Sequence, residues 1–342
     1  MTTGPQVAAF EAAVAQRLGV PHVVALSSCT SGLMLVLRAL DLSGEIIVPS
    51  FTWTATAQAA IWSGMRPVFV DCDPATLTIS PERVAAAIGP ETRAVMPVTV
   101  FGCPPEIAAL QDLCKERDIR LVFDSAQGLG STYAGSPLGG FGDAEVFSLS
   151  PTKVVTAMEG GLVTTRDPDL AAKVRRMRDY GKTADAADFD LVGLSARMPE
   201  VCGLVARLNL SSIDAYVARR AEVVRRYREH LNDLVGVSFQ HIPEDRSTNW
   251  NYFVMRLDTT RASIGRDALW TRLRERTIET KRYFYPALHR QTVFQDGRGV
   301  QRGTLQQSER AAAETLALPL HNDMTDAAVD TVVAAIREEI GR

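Results

Sequence analysis

Apolar residues in the first half of the chain occur in short continuous runs, separated by stretches with helical spacing. The runs are typical of buried strands and lie at 22–28, 45–50, 66–71, 94–100, 119–125, 144–150 and 160–165. The stretches with helical spacing lie at 5–18, 30–40, 53–63, 80–88 and 105–117. Seven strands that alternate with helices predict an α/β fold, with a mostly parallel sheet covered by helices on both faces.

The pattern changes after about residue 168. The elements predicted beyond this point are helices at 168–179, 198–233, 266–276 and 325–340, a strand at 251–258, and an aromatic segment at 281–289. The sequence therefore predicts a large domain over residues 1–235 and a smaller α+β domain over residues 236–342.

Composition narrows the class of protein. The 46% hydrophobic and 23% charged residues are ordinary for a soluble globular protein, and the net charge of −3 argues against a nucleic-acid partner. The arginine-rich helix at 217–230 carries interleaved Glu222 and Glu229, which favours a solvated face over a nucleic-acid-binding one. The five cysteines are scattered without a CxxC spacing, so we expect no metal site, no disulfides and a cytoplasmic location. The apolar runs are too short to predict a membrane span.

Lysine is rare in this chain: five of the 37 Lys plus Arg residues are lysine. One of them, Lys153, lies in the glycine-flanked stretch SLSPTKVVTAMEGG. An amine can lose its proton and attack a carbonyl carbon, whereas a guanidinium keeps its proton. Lys153 is therefore a candidate catalytic residue, and the alternative is a solvated loop lysine.

Two more polar residues accompany Lys153 near predicted strand ends. Asp124 ends the apolar strand RLVFD, Gln127 follows three residues later, and Lys153 lies just beyond the strand AEVFSLS. Functional groups collect at the carboxyl ends of strands in open α/β sheets. A lysine and a buried carboxylate are what pyridoxal 5'-phosphate (PLP) requires, because the amine forms a Schiff base and the carboxylate keeps the ring nitrogen protonated. The alternative for Asp124 is a turn or capping residue.

A PLP site also needs groups for the phosphate and the ring. The segment SSCTSGL passes from a strand into a helix, where free backbone N–H groups and the hydroxyls of Thr30 and Ser31 suit a phosphate. Ser148 can add a further hydroxyl, and Trp53 can stack on the ring. The alternatives are plain helix capping and core packing. Neither a GxGxxG nor a GxxxxGK[ST] pattern accompanies the segment, which argues against dinucleotide and P-loop sites.

Longer stretches carry a family resemblance. The sequences at 48–82, 122–165, 193–200 and 283–289, in this order, resemble the DegT/DnrJ/EryC1/StrS family, the sugar aminotransferases among fold-type I PLP enzymes. The resemblance runs nearly end to end and looks strongest to enzymes that aminate C-4 of nucleotide-linked 4-keto-6-deoxy sugars. It implies a fold-type I aminotransferase-like architecture, PLP as cofactor, and transfer of an amino group, with glutamate as expected donor, to a keto sugar.

The resemblance also implies roles for individual residues. Lys153 would carry the cofactor, Asp124 would pair with its ring nitrogen, and Gln127 would lie near its phenolic oxygen or ring face. The remaining cofactor contacts would come from Trp53, Thr30, Ser31 and Ser148. Relatives are homodimers with shared sites, so the segment 193–200 would reach the partner's site.

Several expectations are less specific. Ser195 stands where relatives commonly have an Asn that reaches the neighbouring subunit's phosphate, and Arg197 matches a basic position that often follows. Arg197, Tyr283 and His289 are candidate substrate contacts, and the alternative for Tyr283 and His289 is the core of the small domain. Besides a sugar aminotransferase, the sequence leaves open a PLP enzyme of this family with a non-sugar or cyclitol substrate or with other chemistry, and a catalytically silent cofactor-binding protein.

Overall fold

The computed structural model describes residues 1–183 and 185–341. The helices are α1 (Pro5–Leu18), α2 (Cys29–Ala39), α3 (Thr54–Trp62), α4 (Pro81–Ala87), α5 (Ile107–Glu116), α6 (Pro168–Met177), α7 (Glu200–Ser211), α8 (Ile213–Leu231), α9 (Arg266–Glu275), α10 (Gln306–Glu314) and α11 (Asp326–Gly341). The strands are β1 (His22–Leu26), β2 (Gly44–Pro49), β3 (Met65–Val70), β4 (Thr92–Val95), β5 (Arg120–Asp124), β6 (Thr132–Tyr133), β7 (Ser136–Pro137), β8 (Ala144–Ser148), β9 (Gly161–Thr165), β10 (Val237–Phe239), β11 (Arg246–Ser247), β12 (Phe253–Leu257), β13 (Val300–Gln301) and β14 (Thr315–Leu318).

The main sheet has eight strands in the order β1-β9-β8-β5-β4-β2-β3-β13. All run parallel except β9, which pairs antiparallel with both β1 and β8. The predicted mostly parallel sheet is confirmed, and its seven predicted strands are joined by an eighth. This extra strand is β13, which comes from the C-terminal part of the chain and is too short to leave a periodic signal.

Helices cover both faces of the main sheet. Helices α1, α4, α5 and α7 bury apolar side chains against one face. The other face is covered by α2, α3 and α6. Strands that are buried on both faces read as the continuous apolar runs found in the sequence.

The N-terminal helix shows how its ends are specified. Pro5 at the first helical position needs no N–H partner, and Gly19 ends α1 in the left-handed region with φ 64°. The Glu200 carboxylate of α7 accepts hydrogen bonds from the amides of Gly4, Gln6 and Val7. These signals place α1 at the residues that the sequence predicts.

The C-terminal part forms a second sheet with its own core. Strands β10, β12 and β14 pair antiparallel. Side chains of α8, α9 and α11 pack on this sheet. Because α8 precedes residue 235 yet contributes Val223, Tyr227 and Leu231 to this core, the division of the chain at 235 stays a prediction.

One predicted element differs from the structure. The single helix expected over 198–233 is two helices, α7 and α8, that meet at 60°. The segment 281–289 forms no strand beyond one bridge between Lys281 and Ala317, and it ends in a short 3-10 turn at Leu288–Arg290. No single helix in the described residues is long and apolar enough to cross a membrane. The bent pair α7 and α8 meets this criterion only when the two helices are taken together, and only by length and composition.

Candidate active site

A cavity of about 330 Å³ lies at the carboxyl ends of β1, β2, β5 and β8. Parallel strands bring the residues that follow them to the same edge of a sheet, which is where ligands bind in this class of fold. The cavity is lined by Ser28, Cys29, Thr30, Leu33, Thr52, Trp53, Ala55, Val98, Asp124, Ala126, Gln127, Ser148, Ser150, Thr152, Lys153, Glu159, Gly160, Tyr252, Tyr283 and Phe284. Six of the residues that the sequence marks as cofactor-binding are therefore brought together here.

Asp124 is the buried acid of the cavity. Its side chain accepts hydrogen bonds from the Thr56 hydroxyl at 2.7 Å and from the Ala126 amide at 3.1 Å. Burial raises the pKa of the Asp124 carboxyl, although these hydrogen bonds and the charge of Lys153 act in the opposite direction. Asp124 forms no ion pair with any described residue. A cation placed against it would therefore stabilise its charged form.

Helix α2 begins at the wall of the cavity. Ser28 caps it by accepting a hydrogen bond from the Ser31 amide at 3.1 Å, and the Ser31 hydroxyl donates back to the Ser28 carbonyl at 2.8 Å. The amides of Cys29 and Thr30 belong to the first turn, which has no partners within the helix. Thr30 lines the cavity, whereas Ser31 is engaged in the cap. The N-terminus of α2 can thus receive an anion.

Gly161 lets the backbone approach this helix start closely. A Cβ atom at Gly161 would lie 2.4 Å from the carbonyl carbon of Ser28 and 2.5 Å from the Cys29 nitrogen. Real Cβ atoms essentially never come so near, so any side chain would displace the turn. The glycine pair that follows Lys153 in the sequence therefore preserves the shape of the anion site.

Gln127 is fixed by the loop after β4. Its Oε1 accepts a hydrogen bond from the Phe101 amide at 2.7 Å, and its backbone carbonyl accepts one from the Asn249 side chain at 2.8 Å. Gln127 is buried and lines the cavity. These contacts hold it next to Asp124.

Lys153 lies on the opposite side, against an aromatic network. Its Nζ is 5.7 Å from the centroid of the Tyr252 ring. The Tyr283 hydroxyl donates to Tyr252 at 3.3 Å, and the Tyr252 hydroxyl donates to Thr152 at 2.9 Å. Burial opposes ionisation of Tyr252, but the charge of Lys153 and these hydrogen bonds lower the pKa of its hydroxyl.

Two further predicted residues lie at the rim of the cavity. Trp53 is 56% exposed and packs edge-on against Tyr283, with ring centroids 6.4 Å apart. The Ser148 hydroxyl is 3.4 Å from that of Ser150, so two hydroxyls face the same space. The exposed indole leaves a flat surface open to a ligand.

The other predicted contacts lie outside the cavity. Ser195 is exposed and pairs with Asp179, while Arg197 donates to the Asp179 carboxylate at 2.7 Å. His289 is buried between the Ser50 hydroxyl at 2.6 Å and the Glu309 carboxylate at 2.9 Å. None of these three residues lines the cavity of its own chain.

A model of the DegT/DnrJ/EryC1/StrS aminotransferase family matches residues 1–337. The chain belongs to this family. Members are PLP-dependent, and the chain is a PLP-dependent aminotransferase whose family acts on sugars. The expected fold-type I architecture is thereby confirmed.

Three solved structures are similar to this chain over nearly its whole length. The aminotransferase TlmJ from Streptoalloteichus hindustanus is 33% identical, with a TM-score of 0.92 over 99% of this chain and 92% of that one. DesI, solved in the presence of its TDP-sugar product, is 36% identical, with a TM-score of 0.93 over 99% of this chain and 86% of that one. DesV from S. venezuelae is 30% identical, with a TM-score of 0.93 over 100% of this chain and 91% of that one.

The residues in the cavity fit PLP, the cofactor of this family. A buried carboxylate without a cationic partner suits a protonated ring nitrogen, a helix N-terminus with nearby hydroxyls suits a phosphate, and a lysine stands within the same cavity. The volume of the cavity is at the lower end of the range for small-molecule sites.

Sequence reasoning missed several residues of this family site. Thr56, Thr152 and Tyr252 make the contacts described above, yet none was singled out. Thr56 lies three residues after Trp53, in the stretch FTWTATAQ at 51–58, and could have been found as a hydroxyl near that ring. Tyr252 carries no local signal, because only the folded chain brings β12 next to Lys153.

Proposed function

We propose that this chain transfers an amino group from L-glutamate to a nucleotide-linked 4-keto-6-deoxyhexose, with Lys153 as the catalytic base and acid. The observation that carries the proposal is that one cavity contains both Lys153 and Asp124, a buried carboxylate without an ion-pair partner among the described residues. Bound PLP supplies an electron-withdrawing ring that stabilises negative charge at the carbon losing its proton.

Lys153 would move the proton. Its side chain is half-buried and is held over the Tyr252 ring, so the amine is oriented while it remains able to exchange protons. The Nζ atom would take a proton from the α-carbon of the donor and later return one to the carbon of the acceptor. No other described lysine lines the cavity.

Asp124 would hold the proton on the ring nitrogen of the cofactor. Its carboxylate keeps a fixed orientation because Thr56 and the Ala126 amide each bond one of its oxygens. Gln127, Trp53, Thr30, Ser148 and the start of α2 would orient the rest of the cofactor. These groups bind and position, whereas Lys153 alone carries out the proton transfer.

The nucleotide-linked sugar is the favoured acceptor because of the likeness to DesI, which was solved with its TDP-sugar product. Space beyond the cavity supports a large substrate, since a groove of about 600 Å³ adjoins it and shares Lys153 and Tyr252. The alternative is a cyclitol or other non-sugar acceptor, and the two are distinguished by which keto compound takes the amino group from the enzyme.

We also propose that two copies of the chain form the working enzyme in the cytoplasm. Ser195 lies outside the cavity of its own chain, and helix α7, which follows Ser195 in the sequence, exposes Val201, Leu204 and Leu208. An exposed apolar stripe next to a displaced site segment suits an interface between copies. All five cysteines are free thiols, in keeping with a reducing compartment.

The test is an absorbance spectrum of the PLP-loaded protein before and after addition of L-glutamate. The proposal expects the visible band of the lysine–cofactor linkage to disappear while 2-oxoglutarate is released, and to return when a suitable keto sugar is added. Lys153→Ala should lack the band and lower kcat by several orders of magnitude, because the proton carrier is gone. Lys173→Ala, a surface lysine paired with Asp41, is the matched control. Turnover in Lys153→Ala at the wild-type rate would refute the assignment.

A further inference from the structure

The groove beside the active-site cavity has a wall that the proposed chemistry does not use. The groove measures about 600 Å³ and shares Thr152, Lys153, Tyr252 and Tyr283 with the cavity. Its far wall is formed by α8, the segment 277–281 and the segment 317–324. A charged residue of α8, Arg220, is part of this wall.

Arg220 is held in place by neutral groups only. Its Nε donates to the Asn322 side chain at 2.7 Å, and its Nη1 donates to the carbonyls of Trp250 at 2.9 Å and Asn251 at 3.3 Å. The side chain is buried, with the residue 4% exposed. Arg220 forms no ion pair with any residue in the described ranges 1–183 and 185–341.

The other buried arginines of the described chain differ in this respect. Arg246 pairs with Glu106 and Asp245, and Arg266 pairs with Asp267. A buried cation without a counter-charge is unfavourable, and burial lowers the pKa of Arg220 to about 10. At neutral pH it still carries its charge, which an anion entering the groove would neutralise.

The remaining charges of the groove leave room for an anion. Lys281 adds a second cation, and Lys153 stands at the shared wall. Glu279 and Asp323 also line the groove, but both are exposed to solvent, and Glu279 is the ion-pair partner of Lys281 at 3.4 Å. No carboxylate in the described chain contacts Arg220.

We propose that this wall is an anion-binding subsite, in which Arg220 binds a carboxylate or phosphate group of a substrate whose reacting carbon lies at Lys153. The proposal rests on the proposed function, because a glutamate donor brings carboxylates and a nucleotide-linked acceptor brings phosphates. The Tyr252 ring lines both spaces and contacts Lys153, so a substrate can reach from one to the other around a single side chain.

The test measures binding without turnover. The PLP-loaded wild type, Arg220→Met and the control Arg226→Met are titrated calorimetrically with glutarate, which has no amino group to transfer, and with inorganic pyrophosphate. Arg226 lies on the same helix but is only half-buried, and it pairs with Asp330. Because a charged hydrogen-bond partner is removed, Arg220→Met should bind one probe about 10-fold or more weakly, while Arg226→Met should match the wild type.

The two probes separate the sources of the anion. Weaker glutarate binding assigns the subsite to the amino donor, and weaker pyrophosphate binding assigns it to the phosphate of the acceptor. The proposal would be overturned if a folded Arg220→Met protein bound each probe with the same affinity as the wild type. It would also be overturned if the wild type bound neither probe. Melting temperature and the cofactor band report folding.

A second variant covers the case in which Arg220→Met does not fold. Lys281→Ala changes a side chain that is 51% exposed, and it should weaken the same probe severalfold. Unchanged binding there counts against the subsite. The reaction of the wild type with L-glutamate is measured in parallel. If probe binding depends on Arg220 but glutamate does not react, the subsite stands and the proposed function is refuted. If glutamate reacts but probe binding does not depend on Arg220, the proposed function stands and the subsite is refuted.

Discussion

At the residue scale, the buried acids have different environments. Asp124 and Glu145 are both buried and both accept hydrogen bonds, but Asp124 opens onto the cavity while Glu145 is enclosed by protein. The Glu145 side chain accepts from the amides of Gly139 and Phe141 and from the Ser125 hydroxyl. One acid is therefore available to a ligand, and the other fixes a loop.

Replacement of Glu145 by Gln should remove a pH-dependent loss of stability. Burial raises the pKa of Glu145 from 4.5 to about 7. The folded state therefore binds more protons than the unfolded state between these values, and the free energy of unfolding falls as pH rises through them. The loss should reach about 3 kcal/mol above pH 7. Glu145→Gln keeps an acceptor for both amides, and its side-chain NH₂ can donate to Ser125.

The measurement is urea unfolding of the wild type and Glu145→Gln at pH about 5 and about 8. Relative to the wild type, the variant should gain stability at the higher pH. An equal difference at both pH values would mean that Glu145 does not titrate as described.

Tyr252 should set an alkaline limit on catalysis. Because its pKa is lowered, rising pH ionises the Tyr252 hydroxyl and places a negative charge beside Lys153, and that charge opposes transfer of a proton from the amine to the acceptor carbon. Tyr252→Phe keeps the ring but cannot ionise, so the alkaline limb of its kcat profile should move to higher pH. At neutral pH, loss of the hydroxyl should cost kcat about fivefold or less.

The control for this variant is Tyr216→Phe, whose hydroxyl contacts Asn209 away from the cavity. Its pH profile should match the wild type. An unchanged alkaline limb in Tyr252→Phe would exclude Tyr252 as its source.

At the element scale, the sequence predicts those helices and strands whose ends are marked by local residues such as proline, glycine or a capping serine. Helix α1 lies between Pro5 and Gly19, and α4 begins with Ser80, which caps it, followed by Pro81. Elements such as β10 and β14 were missed because their short runs of three and four residues are stabilised by pairing with β12. The break between α7 and α8 also has no glycine or proline to mark it.

The candidate site divides in the same way. Lys153, Asp124 and Gln127 follow strands in the sequence, so the rule for strand ends predicts that they meet. Tyr252 and Arg220 come from later segments, and their proximity depends on how the second sheet packs against the first. Sequence reasoning predicts that Arg220 lies on a solvated face, yet this residue is buried. The prediction fails because the spacing alone does not tell which arginine of α8 faces β12.

Helix α7 supplies the prediction at this scale. Val201 and Leu208 are 56% and 61% exposed and lie on one side of the helix together with Leu204. Leu208→Glu should convert a dimer into a monomer, because a buried interface would then contain an unpaired charge. Activity should fall with it, since the partner's segment 193–200 would be lost.

Light scattering during gel filtration gives the mass. Val235→Glu, at an exposed apolar residue away from α7, is the control and should leave both mass and activity unchanged. A dimeric Leu208→Glu protein would exclude this face as the interface.

At the scale of the whole molecule, the two sheets are connected by more than the chain. Aromatic residues that follow β2 and β4 pack against residues of the second, smaller sheet. There the rings of Phe101 and Phe284 stack with their centroids 5.2 Å apart. Strand β13 returns to the main sheet and pairs with β3, and Arg302 beside it binds the buried Glu45 carboxylate at 2.7 Å. The cavity therefore has walls from both parts, and its shape depends on their fixed arrangement.

Strand β13 has a consequence for how the protein is made. The ribosome releases the other seven strands of the main sheet well before Val300 and Gln301 emerge, so β3 remains an open edge during most of synthesis. Open strand edges pair readily with other chains. The nascent protein therefore passes through an interval in which its sheet is nearly complete but unprotected, and that interval ends only when residues from the last part of the chain close the edge.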